Sequence, residues 1–269
     1  MKLLSNKKCI HSKLNLLGYQ VFRYISAKIL SFIKRKKISN IDIVNLRKNG
    51  FLIKNDFLSS GQLEAFENYF INEPDVQLAL DASFEDQDTK VLRKSIQMTE
   101  LKGSAQLQNG MKCIYNYTSK VLNLPNHYRS EITLWFDKII AKPGRCTQNE
   151  IHTDTYHNAY KVWYFPFGVE SGQTPLVYYS GTHKFSLRRA FFEYYQSLKV
   201  TRGDELSWRL NDFHLCDLTT KGCMNKVICK PNTLVIVNVH GFHHRDIAYE
   251  EAERVQLHFS IPRIPSDGL

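Results

Sequence analysis

Asn238 to Ser260 reads NVHGFHHRDIAYEEAERVQLHFS, a histidine-rich connection followed by a strand-like segment. The preceding run, TLVIVNV at Thr233 to Val239, is β-branched, follows a turn-like Lys-Pro-Asn and is typical of a buried strand. Beyond the histidines, polar and apolar residues alternate, which predicts a strand with two different faces. One face carries Arg254, Gln256, His258 and Ser260, and the other carries Val255, Leu257, Phe259 and Ile261. We expect the polar face to line a cavity.

A His-x-Asp pair lies far upstream, in the segment IHTD at Ile151 to Asp154. In an extended segment, side chains two positions apart point to the same side, so His152 and Asp154 can reach one ion. The third ligand must then come from a neighbouring strand, and His243 follows the buried run. Two imidazoles and one carboxylate form the facial triad of non-haem Fe(II) oxygenases, which keeps other coordination positions open. We therefore expect His152, Asp154 and His243 to bind Fe(II).

Four ordered segments resemble the phytanoyl-CoA dioxygenase family of Fe(II)/2-oxoglutarate oxygenases, over roughly Asn40 to Arg263. They are KNGFLIKNDFLS at 48–59, His152-Thr-Asp154, TPLVYYSGTHK at 174–184, and Gly241-Phe-His243 with Arg254. The resemblance implies a mainly β protein with flanking helices and a double-stranded β-helix (jelly-roll, cupin-like) core. It also implies Fe(II), 2-oxoglutarate as co-substrate, O2, and hydroxylation of a small-molecule or lipid-like substrate. It does not imply phytanoyl-CoA itself, because the family serves many substrates.

The resemblance also assigns roles to individual residues. Arg254 pairs with the distal carboxylate of 2-oxoglutarate. Gln256 lies two residues further along on the same strand face, and from this position we expect it to add a hydrogen bond. His243 is preferred as the third ligand because the Gly-Phe-His segment aligns and leaves eleven residues to Arg254, with His240 as runner-up. Related halogenases lack the carboxylate ligand, so Asp154 favours hydroxylation. His183 is expected to form structural hydrogen bonds.

The positive charge of the chain is concentrated in its N-terminal part. The formal charge is +10, from 36 Lys and Arg against 26 Asp and Glu. Residues 1–40 hold ten Lys or Arg and no acidic residue, so the remainder is neutral. This asymmetry argues against a nucleic-acid groove across the catalytic domain and for a local role of the N-terminus. We expect a basic segment at residues 1–38 and one oxygenase domain at 39–269, with an insertion at about 184–225.

Residues 13–35 follow the pattern of a basic amphipathic helix. Three interpretations stay open: the helix packs on the barrel, residues 1–37 lie on an anionic membrane surface, or the segment binds a partner or targets the protein. Lys and Arg interrupt the apolar residues, so neither a transmembrane span nor a secretory signal is expected. The six cysteines show no C-x-x-C pair and indicate reduced thiols in a cytoplasmic enzyme. If residues 1–37 lie on a membrane surface, we expect this cytoplasmic enzyme to be a peripheral membrane protein. Zinc binding by Cys216, Cys223 and Cys229 is a weaker alternative because their spacing is poor.

Local patterns predict most of the secondary structure. We expect helices at 41–48, 58–70 and 109–122, with Gly50 as a C-cap. Strands are expected at 51–53, 128–137, 139–141, 159–169, 175–179, 233–239 and 254–261, and a polar loop at 81–89. The interval 184–225 is expected to lie outside the barrel, where its aromatic helix either covers the pocket or packs on the sheet.

Two other function classes compete with an oxygenase. One is a catalytically silent jelly-roll binding or scaffold protein tethered by its basic N-terminus. The other is a different metal enzyme, such as a zinc hydrolase, but no glutamate base of the H-E-x-x-H kind stands beside the ligands. The sequence does not identify the substrate, for which a lipid and a soluble metabolite fit equally well.

Overall fold

The computed structural model describes residues 40–72, 84–97, 104–124, 132–155, 158–199, 208–210 and 223–261, together with Gly18 and seven residues between Val21 and Ile29. Its twelve strands within these ranges form two antiparallel sheets. The larger sheet has seven strands and the smaller has five. Residues of both sheets line one cavity between them. This arrangement is the predicted jelly-roll core.

The larger sheet comprises β1 (Phe51–Lys54), β2 (Phe84–Asp86), β3 (Thr89–Gln97), β4 (Thr133–Ala141), β6 (Tyr160–Phe165), β10 (Thr233–Asn238) and β12 (Ala252–Ile261). The smaller sheet comprises β5 (His152–Thr153), β7 (Leu176–Tyr179), β8 (Trp208–Arg209), β9 (Met224–Lys226) and β11 (His243–Arg245). The strand order is β1-β10-β6-β12-β4-β3-β2 in the larger sheet and β8-β5-β11-β7-β9 in the smaller sheet. The helices are α1 (Ile41–Asn49), α2 (Ser60–Asn72), α3 (Ala105–Leu122) and α4 (Leu187–Lys199), with a 3-10 turn at Thr147–Asn149.

Helix α1 is capped at both ends, and Gly50 is the predicted C-cap. The Asn40 side chain accepts a hydrogen bond from the backbone N–H of Asp42 at 2.9 Å, which caps α1. Gly50 ends the helix with φ 89° and donates its N–H to the carbonyl of Leu46. This left-handed residue turns the chain directly into β1, which pairs with β10.

Helices α2 and α3 cover the outer face of the larger sheet. Helix α3 starts at Ala105, earlier than predicted, because Ser104 accepts a hydrogen bond from the N–H of Leu107 at 3.1 Å. Phe66 of α2 packs on Tyr164 of β6, with ring centroids 4.9 Å apart. The buried core between them includes Leu107, Met111, Ile114, Leu134, Phe136, Val162, Leu257 and Phe259. The apolar face of β12 therefore points to the helices, which leaves its polar face for the cavity.

Several predictions for the larger sheet were wrong in detail. The segment 81–89 is not simply a loop, since its described part forms the hairpin between β2 and β3. The sequence did not predict β3, whose residues are largely polar. Strand β4 is continuous through Lys138, and residues 128–131 lie outside the described part. Strand β6 stops at Phe165 because Pro166 has no N–H to continue the ladder.

The interval 184–225 was predicted to lie outside the barrel, and this is wrong in part. Strand β8 pairs with β5, and β9, which begins at Met224, pairs with β7. Both extend the smaller sheet at its edges. Helix α4 matches the expected aromatic helix, while residues 200–207 and 211–222 lie outside the described part. The domain boundaries themselves stay predictions.

Most of the basic N-terminal segment lies outside the described residues. Of the part that is described, Phe22, Ile25 and Ile29 are exposed. The ring of Tyr24 lies 6.2 Å from that of Phe185, just before α4. No helix in the described ranges has the length and apolarity needed to cross a bilayer.

Candidate metal centre

Short strands in the smaller sheet place the three predicted ligands. His152 of β5 stands directly opposite His243 of β11 in the antiparallel register. Asp154 follows β5, and its backbone N–H donates to the carbonyl of Val239 at 3.1 Å, which ties it to the end of β10. The structure thus brings together two segments that are separated by most of the barrel sequence.

The ligand atoms converge on one side of the cavity. Oδ1 of Asp154 lies 3.4 Å from Nε2 of His152 and 3.5 Å from Nε2 of His243. All three ligand atoms lie within 4.8 Å of one another. Adjacent ligands about 2 Å from one ion, at right angles, are separated by roughly 3 Å. The donor set and its spacing therefore fit a divalent metal ion held by one face.

Backbone carbonyls fix the orientation of both imidazoles. Nδ1 of His152 lies 2.7 Å from the carbonyl of Glu150, and Nδ1 of His243 lies 2.9 Å from that of Gly241. A carbonyl only accepts, so each ring carries its proton on Nδ1 and presents a lone pair on Nε2. This second contact is the usual support for a metal-bound histidine.

Electrostatics also prepare the site for a cation. Burial lowers the pKa of His152, which favours the neutral ring that a metal needs. Burial alone would raise the pKa of Asp154, but Lys161 and the two imidazoles outweigh it and hold that pKa well below its usual range. Nζ of Lys161 lies 2.7 Å from Oδ2 of Asp154, so Oδ1 faces the imidazoles. The sequence did not identify Lys161.

Tyr178 of β7 supports the turn before His243. Its hydroxyl donates to the carbonyl of Asn238 at 3.0 Å, and its ring stacks on His243 with centroids 6.4 Å apart. A Cβ atom at Gly241 would overlap this hydroxyl, so only glycine fits there. The Gly-Phe-His segment therefore needs its glycine for close packing behind His243.

Arg254 is buried in the cavity wall formed by β12. Its Nη1 donates to the carbonyls of Thr174 and Gln173, at 2.5 and 3.3 Å. Its Nε is buried and has no hydrogen-bond partner among the described residues. Burial, together with the nearby charge of Arg245, lowers the pKa of Arg254 to about 9. A buried cation with an unsatisfied donor fits an anionic ligand such as the distal carboxylate of 2-oxoglutarate.

Gln256 and His258 meet Asp137, a residue that the sequence analysis did not single out. Asp137 Oδ2 accepts from Nε2 of Gln256 at 3.1 Å and lies 2.9 Å from Nδ1 of His258. Arg93 of β3 forks onto the same carboxylate, at 2.7 and 2.9 Å. Burial would raise the pKa of Asp137, but His258 and Arg93 keep it well below its usual value. The available signal was an acidic residue inside the apolar strand LWFDKII.

The cavity has a volume of about 270 Å³ and joins these groups. Its lining includes His152, Asp154, His243, Arg254, Gln256 and His258. Three of the four residues on the predicted polar face of β12 thus line it. Ser260 is exposed and lies outside the lining, because the strand runs past the cavity at its end.

His240 and His183 lie away from the candidate ligands. Nε2 of His240 is 2.8 Å from Oε1 of Glu193, and its Nδ1 is 3.1 Å from the carbonyl of His183. Nε2 of His183 contacts the carbonyl of Arg47 at 3.1 Å, in agreement with its predicted structural role. His240, the runner-up, is therefore not part of the cluster. His157, whose role the sequence left open, lies outside the described residues.

A buried ion pair joins α4 to the turn before His243. Nε of Arg189 lies 2.8 Å from Oε1 of Glu193, the oxygen that also meets His240. Nη2 of Arg189 donates to the carbonyl of His240 at 3.0 Å, and its guanidinium covers the ring of Phe242 at 4.2 Å. The N-terminal half of α4 thus packs against the smaller sheet, and Arg189 and Glu193 brace the turn before His243.

Cysteine contributes no ligand in the described ranges. Cys113, Cys146, Cys223 and Cys229 are free thiols there, while Cys9 and Cys216 lie outside them. The only cluster of metal-ligating side chains in the described part of the chain is that of His152, Asp154 and His243.

No protein-family model and no curated protein sequence matches the chain. Solved structures do match in fold. The α-ketoglutarate-dependent carbocyclase SnoK of nogalamycin biosynthesis aligns over 84% of each chain, with 13% identity and a TM-score of 0.54. HygX from Streptomyces hygroscopicus, with nickel and 2-oxoglutarate bound, aligns over 84% of this chain and 87% of its own, with 13% identity and a TM-score of 0.50. EvdMO1 aligns over 83% of this chain and 49% of its own, with 9% identity and a TM-score of 0.51. The chain therefore has the mainly antiparallel jelly-roll fold that 2-oxoglutarate oxygenases share.

Proposed function

We propose that the protein is an Fe(II)- and 2-oxoglutarate-dependent oxygenase. The observation that carries this proposal is the convergence of Nε2 of His152, Nε2 of His243 and Oδ1 of Asp154 in the jelly-roll cavity. Two nitrogens and one carboxylate oxygen on one side of an ion are the ligand set of non-haem Fe(II) oxygenases. SnoK is named as α-ketoglutarate-dependent, and HygX was crystallised with nickel and 2-oxoglutarate, which supports the same co-substrate here.

The chain's own residues hold and orient the reactants. His152, Asp154 and His243 hold the metal, and the carbonyls of Glu150 and Gly241 keep both imidazoles in the required tautomer. Arg254 binds the distal carboxylate of 2-oxoglutarate, with Gln256 beside it on the same strand face. The polar contacts of Asp137 hold Gln256 and His258 in place.

The reaction that this arrangement favours is hydroxylation of a small molecule. Iron and 2-oxoglutarate supply the oxidation: one atom of O2 enters succinate as CO2 leaves, and the other enters a C–H bond of the substrate. Related halogenases lack this carboxylate so that a halide can coordinate, and the presence of Asp154 therefore favours hydroxylation over halogenation. Membership of the phytanoyl-CoA dioxygenase family is part of the same proposal and is supported by the four segments that resemble it.

Release of succinate tests the oxygenase against a silent jelly-roll scaffold. Purified protein is incubated with Fe(II), 2-oxoglutarate and O2, and the succinate that forms is quantified. We expect succinate from the wild type and none above background from Asp154→Ala. Folded, iron-loaded wild-type protein that forms no succinate, alone or with a broad panel of metabolites, would favour the scaffold.

A further inference from the structure

The cavity next to the candidate ligands carries an excess of positive charge. Four of its described lining residues are cations, Arg93, Lys161, Arg245 and Arg254, and one, Asp154, is an anion. The charges of Fe(II) and of the 2-oxoglutarate dianion cancel, so binding of both leaves the excess of three positive charges in the cavity. Asp137, which forms an ion pair with Arg93, offsets one of these three positive charges. A cavity that remains cationic when loaded favours an anionic substrate.

Two of the cations belong to the end of the cavity assigned to 2-oxoglutarate. Arg245 is two positions from His243 on β11, so both side chains lie on the cavity side of the smaller sheet. Arg245 and Arg254 both line the cavity, and the charge of Arg245 lowers the pKa of Arg254, after the larger effect of burial. Arg254, which is buried, and Arg245, which is half-buried, together suit the one distal carboxylate of the co-substrate.

Lys161 serves a different part of the cavity. It lies on β6, opposite Ser260 of β12, and its Nζ touches Oδ2 of Asp154 at 2.7 Å. An ammonium group has three N–H donors, of which this contact uses one. The side chain is 33% exposed, which makes it accessible from the cavity. A ligand anion at Lys161 therefore sits beside the metal site.

The surroundings of Lys161 suit the remainder of a small molecule. Trp163 and Phe165, on the same face of β6, line the cavity and give an apolar wall. Burial lowers the pKa of His258, and the charges of Lys161 and Arg93 lower it further, which favours the neutral imidazole. Arg93 is already engaged in a fork with Asp137. Lys161 is thus the cation best placed to meet a substrate.

We propose that the substrate is a small molecule with a carboxylate or phosphate group, and that Lys161 binds this group beside the metal. The proposal rests on the proposed function, since it takes iron and 2-oxoglutarate as the other occupants. Because the ammonium group touches a metal ligand, the oxidised carbon lies within a few bonds of the charged group.

The test uses the full chain with Fe(II) and 2-oxoglutarate under anaerobic conditions. Bidentate 2-oxoglutarate on Fe(II) gives a weak visible band, and inorganic phosphate or acetate is titrated against it at constant ionic strength. Wild type is compared with Lys161→Met, Lys161→Arg and Lys138→Met. Lys138 is a matched control: it forms an ion pair with Glu253 at 2.9 Å, is 35% exposed and lies outside the cavity lining.

We expect phosphate or acetate to shift the band of the wild type, the Lys138 variant and Lys161→Arg. Lys161→Met should bind the anion about tenfold or more weakly, the loss of one charge-assisted hydrogen bond. The anion that binds more tightly identifies the substrate group.

A wild-type band that neither anion changes overturns the anion site alone, as does unchanged anion binding in Lys161→Met. Loss of the band itself in Lys161→Met also overturns the anion site, because Lys161 would then act by positioning the metal ligand Asp154. A wild type without a band counts against iron and 2-oxoglutarate instead. Lys161→Gln repeats the comparison if the methionine variant does not fold.

Discussion

His152 and His243 face each other across β5 and β11, and both direct Nε2 to the same oxygen of Asp154. This pairing distinguishes His243 from the neighbouring His240, which points to Glu193 instead. Metal affinity, measured by titration with Ni(II), should therefore respond differently to the two histidines. His243→Ala should reduce metal affinity by more than the roughly 10- to 100-fold that is typical when a residue supporting a metal ligand is removed. His240→Ala should still bind one equivalent of metal, and a reversed pattern would show that the third ligand is misassigned.

Arg254 offers a second comparison, at the co-substrate end of the cavity. Arg254→Ala should weaken 2-oxoglutarate binding about 30-fold or more, because a buried charge loses its partner. Arg254→Lys should fall between this variant and the wild type, since lysine keeps the charge but not the fork. Arg188→Ala, an exposed arginine of α4, is the control. Equilibrium dialysis with labelled 2-oxoglutarate gives the dissociation constants, and equal binding by all four proteins would rule out this role for Arg254.

Glu193 makes the brace between α4 and the turn before His243 testable through stability. The carboxylate is fully buried and meets both Arg189 and His240. Glu193→Ala should lower the free energy of unfolding by about 3–5 kcal/mol, because it leaves a buried guanidinium without its partner. Glu64→Ala, at an exposed position on α2, should change it by less than about 0.5 kcal/mol. Denaturant titrations decide the point, and a small effect of both changes would mean that α4 does not brace the turn.

Asp137 should contribute a pH-dependent part of stability. Its folded-state pKa lies well below its usual value because His258 and Arg93 outweigh burial. A depressed pKa gives stability that is complete above the unfolded-state pKa of about 4 and is lost as the pH falls toward the folded-state pKa. Asp137→Asn should therefore be clearly less stable than wild type at pH 7, and the gap should narrow below about pH 4. Unfolding titrations over this range measure the gap, and a constant gap would contradict the assignment.

The basic N-terminus gives a prediction about membranes. Phe22, Ile25 and Ile29 are exposed on a helix within a segment that carries only positive charge. Such a helix should bind anionic vesicles through both its charge and its apolar side chains. Deletion of residues 1–37 should abolish co-sedimentation with phosphatidylserine vesicles, while neutral vesicles should bind neither protein. Unchanged partition of the shortened chain would leave the segment with another role.

The parts of the site that could be predicted from the sequence are those that depend on short-range sequence patterns. Alternation along β12 placed Arg254, Gln256 and His258 on one face, and the i, i+2 spacing placed His152 with Asp154. Gly50 was recognisable because a helix end needs a left-handed residue. Each of these features depends on residues a few positions apart.

The features that the sequence did not predict depend on tertiary contacts. Strand β3 is too polar to be recognised alone, so the fork between Arg93 and Asp137 could not be found. Lys161 looked like an ordinary strand residue until β6 was placed beside Asp154. Arg189 and Glu193 are four residues apart on a helix, but their shared partner, His240, lies on another element.

We propose that His152, Asp154 and His243 bind Fe(II) beside 2-oxoglutarate that is held by Arg254. The most direct measurement is the visible charge-transfer band after anaerobic reconstitution of wild type, Asp154→Ala and Arg254→Ala with Fe(II) and 2-oxoglutarate. We predict a band in the wild type that both substitutions weaken, the first through the metal and the second through the co-substrate. Folded, iron-loaded wild-type protein without a band would contradict the claim, and the silent jelly-roll scaffold would then be the better account.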